Sequence, residues 1–221
     1  MEREGTIHVK GTGTASVPPD YVILTMKLEA KNQDYGHAMR IGAQQLEMLR
    51  EAAEEAGFSA DELKTTSFSV DSEYENEEYE EAGRTTYRRV FIGYKCEHVL
   101  KLSFDMDNER LIKAMSSIGD CLSKPEISIA FTVKDKQSVR DKILQSAAED
   151  ARRKAEILCK ASGVELGDLI RIEYSWNELR IEHSLDMEWM CAEGGRLPTV
   201  HDFHPDDVKA GDTVDFYWEI R

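Results

Sequence analysis

The chain has 221 residues, of which 41% are hydrophobic and 32% are charged, and its formal net charge is -15. This composition is typical of a folded, water-soluble protein that forms one large domain or two small ones. Because the negative charge repels the phosphates of nucleic acids and the headgroups of anionic lipids, we expect no nucleic-acid partner.

The apolar runs, the first residues and the cysteines of the chain indicate the cellular compartment of the protein. No apolar run approaches the roughly 20 residues of a membrane span, so we expect no membrane insertion. The first ten residues, MEREGTIHVK, lack the basic and apolar regions of a signal peptide, which predicts a cytoplasmic protein. The four cysteines are far apart and form no C-x-x-C pair of a zinc or redox site, which favours reduced thiols.

Residues 11–20 read GTGTASVPPD, and the closely spaced glycines raise the question of a phosphate-binding loop. Such a loop lies between a strand and a helix. Here Pro18 and Pro19 follow, and then apolar residues alternate in a second strand. We therefore predict no phosphate site, but a first strand at about 6–10 and a joining segment whose glycines form a turn or bulge.

The next residues predict a helix and then a strand. Asp34 is a suitable N-cap, apolar residues follow at helical spacing, and Gly57 ends the helix. A strand through Phe68 and Val70 leads into a glutamate-rich stretch at 73–81. Repulsion between these like charges predicts an extended, solvated loop.

The most regular alternation in the chain runs from Val90 to Phe104. It predicts a long strand that bends near Gly93. A short helix follows and stops at Gly119, and the apolar residues within 127–133 then alternate in another strand.

A third helix is predicted at about 138–162, and Gly163 ends it. Its predicted inner stripe consists of Ile143, Ala147, Ala151, Ala155 and Leu158. Sliding the chain by 106 residues superposes Gly57 on Gly163, which predicts a weak internal duplication of a β-α-β-β unit, with halves at about 20–105 and 126–221. The predicted fold class is α+β, with an antiparallel-dominated sheet and helices on one face, in a single domain over 1–221.

Five motifs in combination resemble the SIMPL-domain family. They are VKGTGTASVPPD at 9–20, GY at 93–94, DARRKAE at 150–156, GVELGDL at 163–169 and VKAGDTVDFYWEI at 208–220. The resemblance implies an α+β fold and homo-oligomers, with ring- or channel-like assemblies among bacterial members. It also implies a link to defence against oxidative stress in exported envelope proteins and, in an animal branch, a signalling partner of kinases. It implies no catalytic residues.

An insert at about 177–210 holds the candidate metal ligands. Its string HDFHPDD places His201 and His204 three residues apart, beside carboxylates. Imidazole and carboxylate groups suit zinc or another divalent cation, which needs about four donors around one point. The candidate ligands are His201, His204 and Asp206, and the alternative is a polar loop or a contact between subunits.

The cysteines and the apolar residues of the insert have predicted environments. We expect Cys96 and Cys159 to be core thiols, and Cys121 and Cys191 to be the exposed thiols and the candidates for redox sensing. The apolar residues within 185–190 are predicted to pack against the domain or a neighbouring subunit.

Two functions remain open from the sequence. The motifs of serine hydrolases, zinc proteases and nucleotide-binding proteins do not occur, which favours a non-catalytic, self-assembling protein without a cofactor. Such a protein would form a homo-oligomer, bind a protein partner, and act in stress protection or as an interaction scaffold. The alternative is a metal-dependent enzyme, for example a hydrolase, that uses His201 and His204.

The metal-dependent alternative predicts that protein purified without chelator carries a stoichiometric divalent cation. Replacing both His201 and His204 by alanine is expected to remove the ion, because the site loses two of about four ligands. Native mass spectrometry of the wild type and the double variant measures the metal content. Equal metal content in the two proteins contradicts this site.

Overall fold

A computed structural model of the protein describes residues 5–81, 84–175, 182–185 and 204–221. In chain order the elements are β1 (Gly5–Val17), β2 (Tyr21–Asn32), α1 (Tyr35–Glu55), β3 (Lys64–Glu81), β4 (Arg84–Asp105), α2 (Asn108–Gly119), β5 (Glu126–Thr132), α3 (Lys136–Ser162), β6 (Leu166–Glu173), β7 (Glu182–Leu185) and β8 (Val208–Ile220). The predicted α+β class is confirmed. The order β-α-β-β occurs as β2-α1-β3-β4 and again as β5-α3-β6-β8, with β7 as an additional strand.

The strands belong to two sheets, one with the order β1-β8-β6 and one with the order β3-β4-β2-β5-β7. Two compact units follow this division. The small-sheet unit contains β1, α3, β6 and β8, and the large-sheet unit contains β2, α1, β3, β4, α2 and most of β5. The single domain over 1–221 stays a prediction.

In the large-sheet unit, alternation puts one face of β2 and β4 into the core. These strands are antiparallel, and Leu24 and Leu102 lie opposite each other and are fully buried. α1 packs on both strands. The approach is close, because a Cβ atom on Gly42 would lie 2.9 Å from the Sγ atom of Cys96.

The predicted helix ends are confirmed. The Asp34 carboxylate accepts a hydrogen bond of 2.8 Å from the backbone N–H of His37, as an N-cap does. Gly57 has a φ angle of +92° after α1, and Gly163 has a φ angle of +69° after α3. Glycine adopts this left-handed conformation without the steric cost that a side chain brings.

The glutamate-rich stretch is a strand, so the predicted loop is wrong, although the chain is extended and residues 74–78 are exposed as predicted. Residues 73–81 belong to β3 and pair antiparallel with β4. Glu77 lies opposite Arg88, and its Oε2 atom is 2.6 Å from the Arg88 guanidinium. Cross-strand arginines of this kind offset the repulsion between the glutamates. The register shifts at Gly93, where the bend was predicted.

The glycines of residues 11–20 also lie in a strand, so the predicted turn or bulge is wrong. β1 is longer than the predicted 6–10 and pairs with β8 from Gly5 to Val17 without a register shift. The prolines that follow separate β1 from β2, as expected.

The glycines of β1 allow α3 to cross the strand in direct backbone contact. A Cβ atom on Gly11 would fall on the carbonyl oxygen of Ala147 and would lie 2.8 Å from the Cβ atom of Ala151. A Cβ atom on Gly13 would fall on the carbonyl oxygen of Ile143. These two positions therefore have no room for a side chain.

The buried stripe of α3 differs from the prediction at one position. Its buried residues recur every four positions and are Val139, Ile143, Ala147, Ala151, Ala155 and Cys159. Leu158, predicted to lie in this stripe, is 50% exposed, because the helix turns Cys159 toward the sheet instead.

Gly13→Ala is expected to lower the free energy of unfolding by about 1–3 kcal/mol, the usual range for overpacking a tight contact. The reason is that the Ile143 carbonyl oxygen is part of a helix backbone and moves only with the helix. Urea denaturation measures the change. Thr14→Ala changes the adjacent exposed residue and serves as the control, with an expected change within about 0.5 kcal/mol. A Gly13→Ala protein as stable as the wild type contradicts the close approach.

Candidate functional site

Two side chains of α3 bind the outer edge of β1. β1 is an edge strand, and edge strands present unpaired backbone N–H and C=O groups. The carboxylate of Asp150 accepts a hydrogen bond of 2.9 Å from the backbone N–H of Thr12. The ammonium group of Lys154 donates a hydrogen bond of 3.1 Å to the carbonyl oxygen of Lys10. The helix thus satisfies backbone groups that another strand would otherwise pair.

Cations and a backbone donor surround Asp150. The Nζ atom of Lys154 is 2.6 Å from Oδ2, Arg153 donates to Oδ1, and the Asp150 side chain is 16% exposed. The hydrogen bonds from Lys154 and from the Thr12 N–H lower the pKa of Asp150 to about 2. A general acid or base works best with a pKa near the working pH, so this carboxylate is suited to holding structure and not to proton transfer.

The motifs at 9–20 and 150–156 therefore contact each other. Asp150 and Lys154 bind the backbone of β1, and Ala151 lies against Gly11. Ala155 is fully buried in the same apolar cluster. These residues hold the helix on the sheet. Both motifs are visible in the sequence, but their contact is not, because nothing in the spacing shows which strand α3 covers.

A row of polar rings crosses the face of the small sheet that α3 leaves open. The rings of His8 and Tyr217 are stacked with centroids 4.3 Å apart, and the guanidinium of Arg171 lies 4.3 Å from the Tyr217 centroid. His8 is 2.5 Å from the Asp215 carboxylate, and the Tyr217 hydroxyl donates to Glu173. Burial, followed by the bond to Glu173, raises the pKa of Tyr217, so the phenol stays protonated at neutral pH. The row connects three neighbouring strands and has its polar groups paired among themselves.

The hairpin of β3 and β4 extends beyond β2, which pairs with β4 only from Tyr94 to Asp105. We call residues 72–81 and 84–93 the arm. Along one face, ring contacts link Tyr74, Phe91, Tyr94 and Tyr35 in sequence, with centroids 5.2–5.7 Å apart. We call these four residues the aromatic cluster.

Three members of the aromatic cluster are open to solvent, and Tyr94 is half-buried. Tyr35 is 51% exposed, Tyr74 45% and Phe91 43%, and the Arg89 guanidinium lies 4.4 Å from the Tyr74 centroid. Tyr87, farther along the arm, is 65% exposed. Contiguous exposed apolar groups of this kind mark interaction surfaces. The cluster was not predicted from the sequence, although aromatic residues recurring among the glutamates were a signal for it.

Three of the four thiols lie in the described part of the chain, and all three are buried. This confirms Cys96 and Cys159 as core thiols, and burial raises the pKa of Cys96. The prediction that Cys121 is exposed is wrong. The turn after α2 directs it inward beside α1, with its Sγ atom 3.0 Å from the hydroxyl of Ser123, and the adjacent Leu122 takes the exposed position. Cys191 lies outside the described residues.

The candidate metal ligands are only partly described. His204 and Asp206 are exposed, and His201 lies outside the described residues, as do residues 186–190 of the predicted apolar segment. Within the described ranges, no group of three or more His, Cys, Asp or Glu side chains could hold a metal ion. The metal site through His201, His204 and Asp206 stays a prediction. β8 begins at Val208, within the predicted insert at 177–210, whose bounds stay a prediction.

These features define an α+β protein in which helices cover one face of antiparallel sheets. A comparison with protein-family models matches residues 7–214 to the SIMPL family, which is described as a protein of unknown function (DUF541). The match covers most of the chain, so the protein belongs to the SIMPL family. A search of the curated proteins finds no match. In the part of the chain that the structure describes, no helix is long and apolar enough to cross a membrane.

Asp150→Asn is expected to destabilise the protein at neutral pH and to lose this effect in acid. Because the folded-state pKa of about 2 lies below the ordinary 3.8, the carboxylate stabilises the fold fully above the ordinary value. That contribution disappears as the pH falls toward 2. Urea midpoints of the wild type and the variant, measured from pH 7 to pH 2, are expected to differ most above pH 5 and to converge in acid.

The matched control for this comparison is Asp168→Asn, in the same unit. The Asp168 side chain is 87% exposed and forms an exposed ion pair with Arg221, so its midpoint should stay close to that of the wild type. A gap between Asp150→Asn and the wild type that does not change with pH contradicts the assigned role of the carboxylate.

Proposed function

We propose that this SIMPL protein is a non-catalytic protein that assembles with itself and acts in stress protection or as an interaction scaffold. The observation that carries the proposal is the exposed aromatic cluster, of which Tyr74 and Phe91 lie on the arm. Aromatic side chains beside an arginine are the residue types enriched at the centres of protein interfaces.

The form of the arm supports a binding role. Isolated two-stranded hairpins are only marginally stable in water, and the arm continues past the end of β2 with its aromatic face open. Contact with a partner would bury Tyr74 and Phe91 and so stabilise the hairpin. Without a partner, the arm is stabilised in part by the ion pair between Glu77 and Arg88. Exposed ion pairs contribute at most about 1 kcal/mol to stability.

The use of the motif residues supports a non-catalytic role. Gly11, Gly13, Asp150 and Lys154 belong to the motifs that carry the family resemblance, and all of them hold α3 on β1. The low pKa of Asp150 keeps it ionised, as a structural anion requires.

A protective role in oxidative stress, which the family resemblance suggests, would proceed through assembly or a partner. Sensor thiols are accessible and lie in positive surroundings. Cys96, Cys121 and Cys159 are buried, so direct scavenging by these thiols has no support.

The test is the mass of the wild type in solution and its dependence on the aromatic cluster. We expect a defined oligomer at micromolar concentration, measured by light scattering and native mass spectrometry. Tyr74→Ser with Phe91→Ser should weaken association at least about tenfold, since aromatic residues at interface centres contribute about 2 kcal/mol or more. Leu122→Ser, at an isolated residue that is 84% exposed, is the control and should not change association.

Each result has a distinct meaning. A wild type that is monomeric across the micromolar range contradicts self-assembly. An oligomer that the double variant leaves intact shows that the aromatic cluster is not its interface.

A further inference from the structure

β6 is an edge strand with aliphatic side chains in solvent. The sheet order β1-β8-β6 puts it at one edge, and α3 packs chiefly on β1 and β8. Leu169, Ile170 and Ile172 are 48%, 53% and 52% exposed. A strand of this composition at an open edge is a template for pairing with another strand.

The two edges of this sheet differ. At the β1 edge, Asp150 and Lys154 occupy backbone groups of Thr12 and Lys10, which blocks a further strand there. At the β6 edge, the described strands pair with β6 only through β8. Because one edge is protected and the other exposes aliphatic residues, we expect a further strand to pair with this sheet at β6.

We infer that β6 pairs antiparallel with β6 of a second copy of the chain, around a two-fold axis at Ile172. The inference rests on the proposed self-assembly and adds to it a second interface, separate from the aromatic cluster. The sequence Arg171-Ile172-Glu173 determines which strand pairs with β6 and in which register. Antiparallel pairing centred on Ile172 places Arg171 of each copy opposite Glu173 of the other, and opposite charges directly across strands are favourable.

Other nearby registers lack this match. Centring the pair on Arg171 or on Glu173 places a residue opposite its own like charge, which is destabilising. The segment is therefore complementary to itself in one register, as a two-fold interface requires.

The apolar residues agree with the same arrangement. Leu169 and Ile172 lie opposite Trp218 and Phe216, which are buried in the cluster beneath α3. A two-fold axis perpendicular to the sheet keeps both α3 helices on one face of a six-stranded sheet, in the order β1-β8-β6-β6-β8-β1. Ile172 of one copy then meets Ile172 of the other on this face and leaves water, while Leu169 lies three residues from the axis, opposite Ser175 of the second copy.

The first experiment measures association of charged variants. Ile172→Lys puts two ammonium groups at the axis and is expected to weaken association at least about tenfold. Ile157→Lys, at an α3 residue that is 55% exposed, is the matched control and should associate like the wild type. Arg171→Glu should also weaken association, and adding Glu173→Arg should restore it, because the exchange recreates the opposite pairs.

The second experiment is cross-linking, which does not depend on a charged variant folding. A residue on a two-fold axis faces its own copy, and Cα atoms across an antiparallel pair are about 4.5–5.5 Å apart, within disulfide range. Mild oxidation of Ile172→Cys should therefore give a covalent dimer, and Ile157→Cys should not.

The outcomes separate this inference from the proposed function. If the wild type is an oligomer but Ile172→Lys associates normally and Ile172→Cys does not cross-link, the β6 interface is wrong and self-assembly stands. A monomeric wild type overturns both. Loss of association in Ile172→Lys, together with a covalent dimer of the Ile172→Cys variant, establishes the β6 pair.

Discussion

The contact between the glycines of β1 and the backbone of α3 is the constraint on which the small-sheet unit depends. Gly11 and Gly13 have no room for a side chain, and the facing helix positions are mostly alanines. Alanine buries little apolar area per residue. The short distance between α3 and β1 offsets this small area, because it allows many van der Waals contacts. A side chain on either glycine would push the helix outward and weaken every contact along the stripe.

The same contact determines which edge of the sheet is open. Only a helix lying directly over β1 can direct Asp150 and Lys154 to the backbone of the outer edge. A helix that lies over β1 in this way does not reach β6 at the opposite edge of the sheet. The aliphatic residues of β6 therefore remain in solvent. Closing β1 and exposing β6 are therefore two consequences of one packing geometry.

Local patterns predicted the parts of the fold that depend on local physics. Alternation located the buried strands, and the caps at Asp34, Gly57 and Gly163 are side-chain and backbone effects within a few residues. The errors concern distant partners. The glycines of β1 resemble turn residues until α3 lies over them. The glutamates resemble a loop because a hairpin exposed on both faces shows no apolar alternation, and the arginines that offset their charge come later in the chain. The candidate surfaces could not be predicted from the sequence for the same reason, since exposure of an apolar residue depends on what the fold leaves uncovered.

The charges on and around these surfaces affect how the chain associates. With a net charge of -15, copies of the protein repel one another, so association requires apolar surface together with local positive charge. Near each exposed apolar surface an arginine is held on a tyrosine ring: Arg89 lies on Tyr74 within the aromatic cluster, and Arg171 lies on Tyr217 on the other face of the sheet at the β6 edge. An arginine fixed in this way loses little conformational entropy when a carboxylate approaches it. General repulsion combined with local attraction would confine association to these surfaces and keep the rest of the acidic chain apart.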